Sequence, residues 1–274
     1  MPLDDFPSND ALDAPYALSP DQVAAFRRDG FIRLKQVFAP ATLQSLNEQI
    51  SGATLERSVE RKPIEERSTY GKAFLQVTNL WQTNAAARRF VFGKRLAGLA
   101  ARLLEVAGVR LYHDQSLYKE AGGGLTPAHC DQGYWPLATD RSITAWVPLQ
   151  ATPDEMGPLG FYAGSQGFEE GRGLHISDES EQRITERMEA QGYPYICSGF
   201  DLGEVSFHQG WTYHRAGPNL TTTPRSVMTI IYMDSAMRLK EPANRMEAFD
   251  RATWAPGAVV GEVIDTPLNP VLFP

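Results

Sequence analysis

Apolar positions in the first hundred residues recur at helical spacing. Ser19 before Pro20 predicts a helix start, with Ser19 as N-cap and Pro20 at the first helical position. Val23, Ala24 and Phe26 continue that helix and Gly30 stops it. Phe31 to Val37 reads as a strand with partial alternation. From Pro40 to about Leu55, Leu43, Leu46 and Ile50 mark one face of a second amphipathic helix. Residues 56–72 mix charges of both signs, which predicts an exposed or mobile loop with a solvated face. Residues 85–107 contain a further helical stretch, with Leu96, Leu99, Leu103, Leu104 and Val106 recurring before Gly108. Then the period changes. Short runs separated by Gly and Pro predict strands over 109–120, 142–150, 159–163, 204–207 and 227–233. Residues 167–200 interrupt them with a polar helix near Ser180–Gln191 and read as an insertion that lids one mouth of a barrel.

Helices followed by many short strands imply a mainly β fold with flanking helices. The expected core is a double-stranded β-helix, a cupin-like jelly roll, with the N-terminal helices packed on it. The expected organisation is a flexible leader over 1–17 and a single domain over 18–274. That domain divides into a mainly helical part (18–108), the jelly-roll core (109–235, with the insertion 167–200) and a C-terminal extension (236–274).

Composition narrows the possibilities. The chain has 274 residues, 42% hydrophobic and 22% charged, enough for a substantial core. A net charge of −7 argues against nucleic acid as a partner. Two cysteines, Cys130 and Cys197, make neither a disulfide framework nor a CxxC metal site. Residues 1–15 lack the basic and apolar regions of a signal peptide, and no apolar run approaches the roughly 18–20 residues of a membrane span. The expectation is a cytoplasmic protein acting on a small molecule, with no membrane or nucleic-acid partner; oligomeric state is not written in these features.

The candidate chemistry centres on His129-Cys130-Asp131. In a strand, residues i and i+2 share a face, so His129 and Asp131 can aim at one metal while Cys130 points away as a small buried hydrophobe. With a distant second histidine they form the 2-His-1-carboxylate set of mononuclear non-haem iron(II). Alone, the triplet is weak evidence, because a lone His or Asp is more often a surface or hydrogen-bonding residue. His214 and His208 compete for the third position. Arg225, eleven residues after His214, offers a planar cation suited to a dicarboxylate; a surface arginine is the alternative.

Four ordered motifs carry a resemblance. They are Asp29-Gly30-Phe31-Ile32; Tyr112-His113-Asp114-Gln115 to Lys119, then Thr126-Pro127-Ala128-His129-Cys130-Asp131 with Tyr134-Trp135-Pro136; Thr144-Ala145-Trp146-Val147-Pro148-Leu149 with Met156-Gly157-Pro158-Leu159 and Ala163-Gly164-Ser165; and Gly203 to His208, His214 to Asn219, and Arg225. Over roughly residues 20–235 the chain resembles the phytanoyl-CoA dioxygenase family of iron(II)/2-oxoglutarate-dependent oxygenases. It departs from the family at Ala128, where Trp is frequent, at Cys130, where Gln or Ser is common, and at Gln166, which follows Gly164-Ser165 in place of His. None of these removes a ligand.

The resemblance implies His129, Asp131 and His214 as catalytic metal ligands, with His208 beside them. It implies iron(II), 2-oxoglutarate and O2 as cofactor and co-substrates, with Arg225 on the distal carboxylate. Gln115, Lys119 and Trp146 become further candidates for the 2-oxoglutarate site; core packing is the alternative for Trp146. Halogenating relatives have a small residue where Asp131 stands, so hydroxylation or a related oxidation is expected here. Tyr134, Trp135, Phe207 and Trp211 are candidates for an aromatic substrate wall, or for plain core. His113 and His175 carry no partner spacing. An acyl-CoA would need cations for its phosphates, and those of 56–72 are interleaved with Glu, so a small metabolite is favoured. A cupin-type enzyme without 2-oxoglutarate, for which Arg225 has no use, and a non-catalytic module, at odds with a complete triad, are the remaining alternatives.

Overall fold

Capping chemistry sets the first elements. The computed structural model describes residues 10–274. A short helix, α1 (Asp10–Asp13), precedes α2 (Pro20–Asp29). Ser19 Oγ accepts from the Gln22 N–H at 3.2 Å, and the Gln22 side chain accepts from the Ser19 N–H at 2.8 Å. Gly30 ends α2 at φ +77°, where a Cβ would lie 2.5 Å from Thr212 Oγ1. The leader expected over 1–17 needs correction in its described part: α1 packs on α6 (Lys94–Leu104) and Leu12 is buried. Residues 1–9 lie outside the described residues.

Strand β1 (Phe31–Leu34) is shorter than expected because Gln36 turns to φ +54° and the N–H groups of Val37 and Phe38 both donate to Gly203. Next come α3 (Pro40–Arg57), α4 (Thr69–Ala73) and β2 (Leu75–Thr78). The charged segment 56–72 therefore includes the start of a helix, and its Tyr70 faces the interior cavity described below. The helical stretch within 85–107 is two helices, α5 (Ala85–Val91) and α6 (Lys94–Leu104). They break at Gly93, where a Cβ would press on Leu12 and the Phe90 carbonyl at 3.1–3.2 Å.

The remaining elements are β3 (Val109–Lys119), β4 (Thr126–His129), β5 (Ser142–Pro148), β6 (Leu159–Tyr162), α7 (Asp178–Ala190), β7 (Tyr195–Ile196), β8 (Val205–Gln209), β9 (His214–Ala216), β10 (Arg225–Asp234), α8 (Arg245–Trp254) and β11 (Val271–Phe273). Two antiparallel sheets face each other, as in a jelly roll. The larger has seven strands, ordered β1-β8-β5-β10-β3-β11 with β2 also on β3; the smaller is β4-β9-β6-β7. Ile143, Ala145 and Val147 of β5, Met228, Ile230 and Tyr232 of β10 and Val205 and Phe207 of β8 face α3, α5 and α6 in the main core. The alternate positions face the smaller sheet and enclose the cavity.

Strand β3 changes faces midway. Val109 and Leu111 join the helical core, but a register shift opposite Ile231/Tyr232 acts as a bulge near Tyr112. Beyond it His113, Gln115 and Leu117 line the cavity. Asp114 turns to accept from the N–H groups of Leu80 and Trp81, and Ser116 hydrogen-bonds Thr54 on α3. None of the described helices is long and apolar enough to cross a membrane.

Candidate metal centre and its cavity

His129 ends β4 and pairs in register with His214, the first residue of β9, with ring centroids 4.3 Å apart. Cys130 stays extended and Asp131 begins a 3-10 turn, so His129 and Asp131 share a face. Cys130 points the other way, among Tyr162, Ile184, Met188 and Tyr213, where burial pushes its thiol up to about 12. One donor atom from each of His129, Asp131 and His214 lies within 4.8 Å of the others. Asp131 Oδ1 is 3.5 Å from the Nε2 atoms of both histidines.

Neighbouring groups orient all three side chains. His129 Nδ1 lies 2.7 Å from the Pro127 carbonyl and His214 Nδ1 2.9 Å from that of Thr212. Donating there leaves each Nε2 with its lone pair toward the common point. Thr144 Oγ1 donates to Asp131 Oδ2 at 2.9 Å, and His208 Nε2 sits 3.1 Å from the same oxygen. Thr144 and His208 are cross-strand partners on β5 and β8, so one pair of the large sheet positions the carboxylate. Burial alone would raise the Asp131 carboxyl, but the imidazoles, His214 first, outweigh it and hold it well below the usual carboxylate range. Burial, then His129, pushes His214 well below the usual imidazole range and keeps it neutral.

The insertion helix α7 works from the outer side. Glu181 accepts from the Ala128 N–H at 2.7 Å and pairs with Arg215, the residues just before His129 and just after His214. Its Ile184 and Met188 cover Ala128 and Cys130. The expected lid is therefore a backing for the ligand strands, and only His175 and Ile176, ahead of the helix, reach the cavity.

That cavity holds about 600 Å³ and contains the triad, Gln115, Trp146, Tyr134, Trp135 and Arg225. Arg225 is buried; Nη1 donates to the Gly157 carbonyl, Nε has no partner, and no carboxylate among the described residues pairs with it. Its guanidinium centre is 5.5 Å from the Trp146 ring centroid. Burial lowers its pKa to about 9, which leaves it charged at neutral pH. Two imidazoles, an ionised carboxylate and a guanidinium without a carboxylate partner among the described residues, all in one cavity, are the donor set that iron(II) and a dicarboxylate require.

Three expected site residues stand elsewhere. Phe207 lies in the helical core: once its neighbour His208 aims at Asp131, the two-residue period of β8 turns Phe207 outward. Trp211 lies under the Arg172 guanidinium, 4.2 Å from its ring centroid, and does not line the cavity. Lys119 is fully buried opposite Arg225 on β3, bonded to the Gly124 carbonyl and outside the cavity lining; burial, then Arg225, lowers its pKa to about 6.

The phytanoyl-CoA dioxygenase family model matches residues 26–227, which contain every residue of this centre. The chain belongs to that family. It is an iron(II)- and 2-oxoglutarate-dependent oxygenase of the phytanoyl-CoA dioxygenase type. Among curated proteins it is similar to the ectoine dioxygenase of Bordetella parapertussis, 23% identical over 246 residues, 82% of this chain and 79% of that protein. Two solved structures share its fold. One is the non-haem α-ketoglutarate-dependent carbocyclase SnoK of nogalamycin biosynthesis, with a TM-score of 0.75, 21% identity and coverage of 94% of this chain and 99% of that one. The other is the epimerase SnoN in complex with Fe3+, α-ketoglutarate and nogalamycin RO, with a TM-score of 0.75, 24% identity and coverage of 92% and 97%.

The family match ends before the remaining wall of the cavity. Arg245, Met246, Phe249, Asp250 and Trp254 of α8 line it, and Trp254 stacks on His113 at 4.7 Å. Sequence reasoning missed this wall and both His113 and His175. A usable signal was present in α8, where Met246, Asp250 and Trp254 recur at four-residue spacing.

Proposed function

We propose that the chain holds iron(II) through His129 Nε2, Asp131 Oδ1 and His214 Nε2, and the distal carboxylate of 2-oxoglutarate through Arg225. With O2, it hydroxylates or otherwise oxidises a small-molecule metabolite in the 600 Å³ cavity. The observation that carries this reading is Arg225, a buried cation without a carboxylate partner among the described residues, in the same cavity as the triad. Held there, iron(II) with 2-oxoglutarate and O2 would supply the oxidising chemistry, with succinate and CO2 as the co-substrate's products.

The protein's own contribution is orientation and exclusion. Thr144 and His208 fix Asp131 in rotation, and the Pro127 and Thr212 carbonyls fix the tautomer of each imidazole. Trp146 lies against the guanidinium, and Gln115 lines the same cavity as a polar contact for 2-oxoglutarate. Tyr134 and Trp135 flank the substrate. The site, the helical part and the C-terminal wall work as one oxygenase unit over residues 18–274. Arg225 and Arg245 are the only arginines, and no lysine is present, among the cavity-lining residues, too few for the phosphates of an acyl-CoA; this favours the compact metabolite.

The test is succinate formation from 2-oxoglutarate. It should require iron(II) and fall to background in His129→Ala and in Asp131→Ala, both still folded by circular dichroism. Unchanged turnover in either variant sinks the assignment.

A further inference from the structure

A carboxylate stands where an apolar side chain would otherwise complete the substrate wall. Met246, Asp250 and Trp254 occupy one face of α8, and all three line the cavity. Asp250 is only 8% exposed. Among the described residues it accepts no hydrogen bond and forms no ion pair. Its helical neighbour Glu247 differs: it pairs with Lys240 at 2.9 Å and accepts from the Ala243 N–H at 2.8 Å. Across from Asp250, His113 Nδ1 is also buried without a partner, under the Trp254 ring.

An unpaired buried carboxylate is costly, and packing alone would favour Leu or Met at this position. Desolvation, then the Glu247 charge, raises the Asp250 pKa to about 7, the mark of a carboxylate lacking a compensating donor. The cavity lining is rich in aromatic residues: Tyr134, Trp135, Phe249 and Trp254, with Tyr70 and Phe74. Aromatic faces around a carboxylate suit a cationic nitrogen, which gains both the ion pair and ring-quadrupole attraction. A neutral hydroxyl would supply a donor but leave the charge uncompensated.

We propose that Asp250 is the substrate anchor at the end of the cavity formed by α8, and that the substrate carries a protonated amine on an apolar or aromatic frame. The inference rests on the proposed reading in that it names the substrate class of the same cavity. It assigns specificity to a segment beyond the family match.

The test uses the purified full chain and two matched probe pairs, tryptamine with tryptophol and phenethylamine with 2-phenylethanol, titrated by calorimetry at about pH 8, where Asp250 is ionised. The expected result is at least about tenfold tighter binding of each amine than of its alcohol. In Asp250→Asn that preference disappears while alcohol binding is unchanged, and Tm stays at or above the wild-type value. Equal binding within the pairs, binding of neither amine, or a preference that survives in Asp250→Asn overturns the proposal. So does a Tm loss of about 5 °C or more in both Asp250→Asn and Asp250→Ser, which marks a structural role. Wild-type succinate formation is measured in parallel. Amine selectivity can fail while iron-dependent turnover stands, and turnover can fail while selectivity stands, so the two readings fall separately.

Discussion

At one end of the cavity, each side chain of the triad is hydrogen-bonded to the rest of the protein; at the other, an aspartate and an imidazole nitrogen have no partner among the described residues. His129 and His214 are tied to backbone carbonyls, and Asp131 to Thr144 and His208. Glu181 holds both ligand strands from behind. Asp250 and His113 are also buried, but the Asp250 carboxylate and His113 Nδ1 have no partner among the described residues. The metal end is therefore built for one geometry by bonds the protein makes with itself. The α8 end carries a desolvation cost that no other described group of the protein offsets. Arg225 lies between these cases, anchored through one nitrogen and open at another.

The contrast makes substitutions at the two ends differ in kind. Arg225→Met should raise the KM for 2-oxoglutarate on the order of 100-fold, through loss of charge-assisted hydrogen bonds, with iron affinity little changed. Steady-state succinate assays and metal titration separate the two; an unaltered KM would place the dicarboxylate elsewhere. Thr144→Val removes one of the two groups orienting Asp131 and should weaken divalent-metal affinity on the order of tenfold, read by competition with a chelator. An unchanged affinity would show that His208 alone suffices and would blur the contrast.

Asp250→Asn should act in the opposite direction, on stability. Its folded pKa of about 7 lies above the unfolded value of about 3.9, so the native state holds the proton more tightly. The resulting stabilisation is complete below about pH 4 and is lost as pH rises through 7. The variant should escape that loss and gain on the order of 2 kcal/mol on wild type between pH 4 and pH 7.5 in urea unfolding. Asp114, also raised to about 7 by burial, remains in the variant, so part of the decline persists in both proteins. Parallel pH profiles would mean that Asp250 finds a partner in the free protein.

Much of this centre was legible because its signals are local. Ser19 with Gln22, and Gly30, bound α2 through contacts within a few residues. His129 and Asp131 share a face through the two-residue period. His208 beside the triad follows from the same rule, and that rule, applied to β8, also turns Phe207 away. On β3, by contrast, His113, Asp114, Gln115 and Ser116 are polar on both faces, so hydrophobic alternation cannot orient them. The bulge near Tyr112, set by the register against β10, decides that His113 and Gln115 face the cavity.

By itself, the sequence determined the family, the residues of the candidate triad, the N-cap and C-cap of α2 and the order of helices before strands, because each depends on residue chemistry at short spacing. The tertiary structure alone decided which polar groups lose their water and whether they gain a partner in exchange. Docking of α7 made Glu181 a clamp, and docking of α8 left Asp250 unpaired. Desolvation depends on elements brought together from far apart in the chain, and no local pattern encodes that meeting.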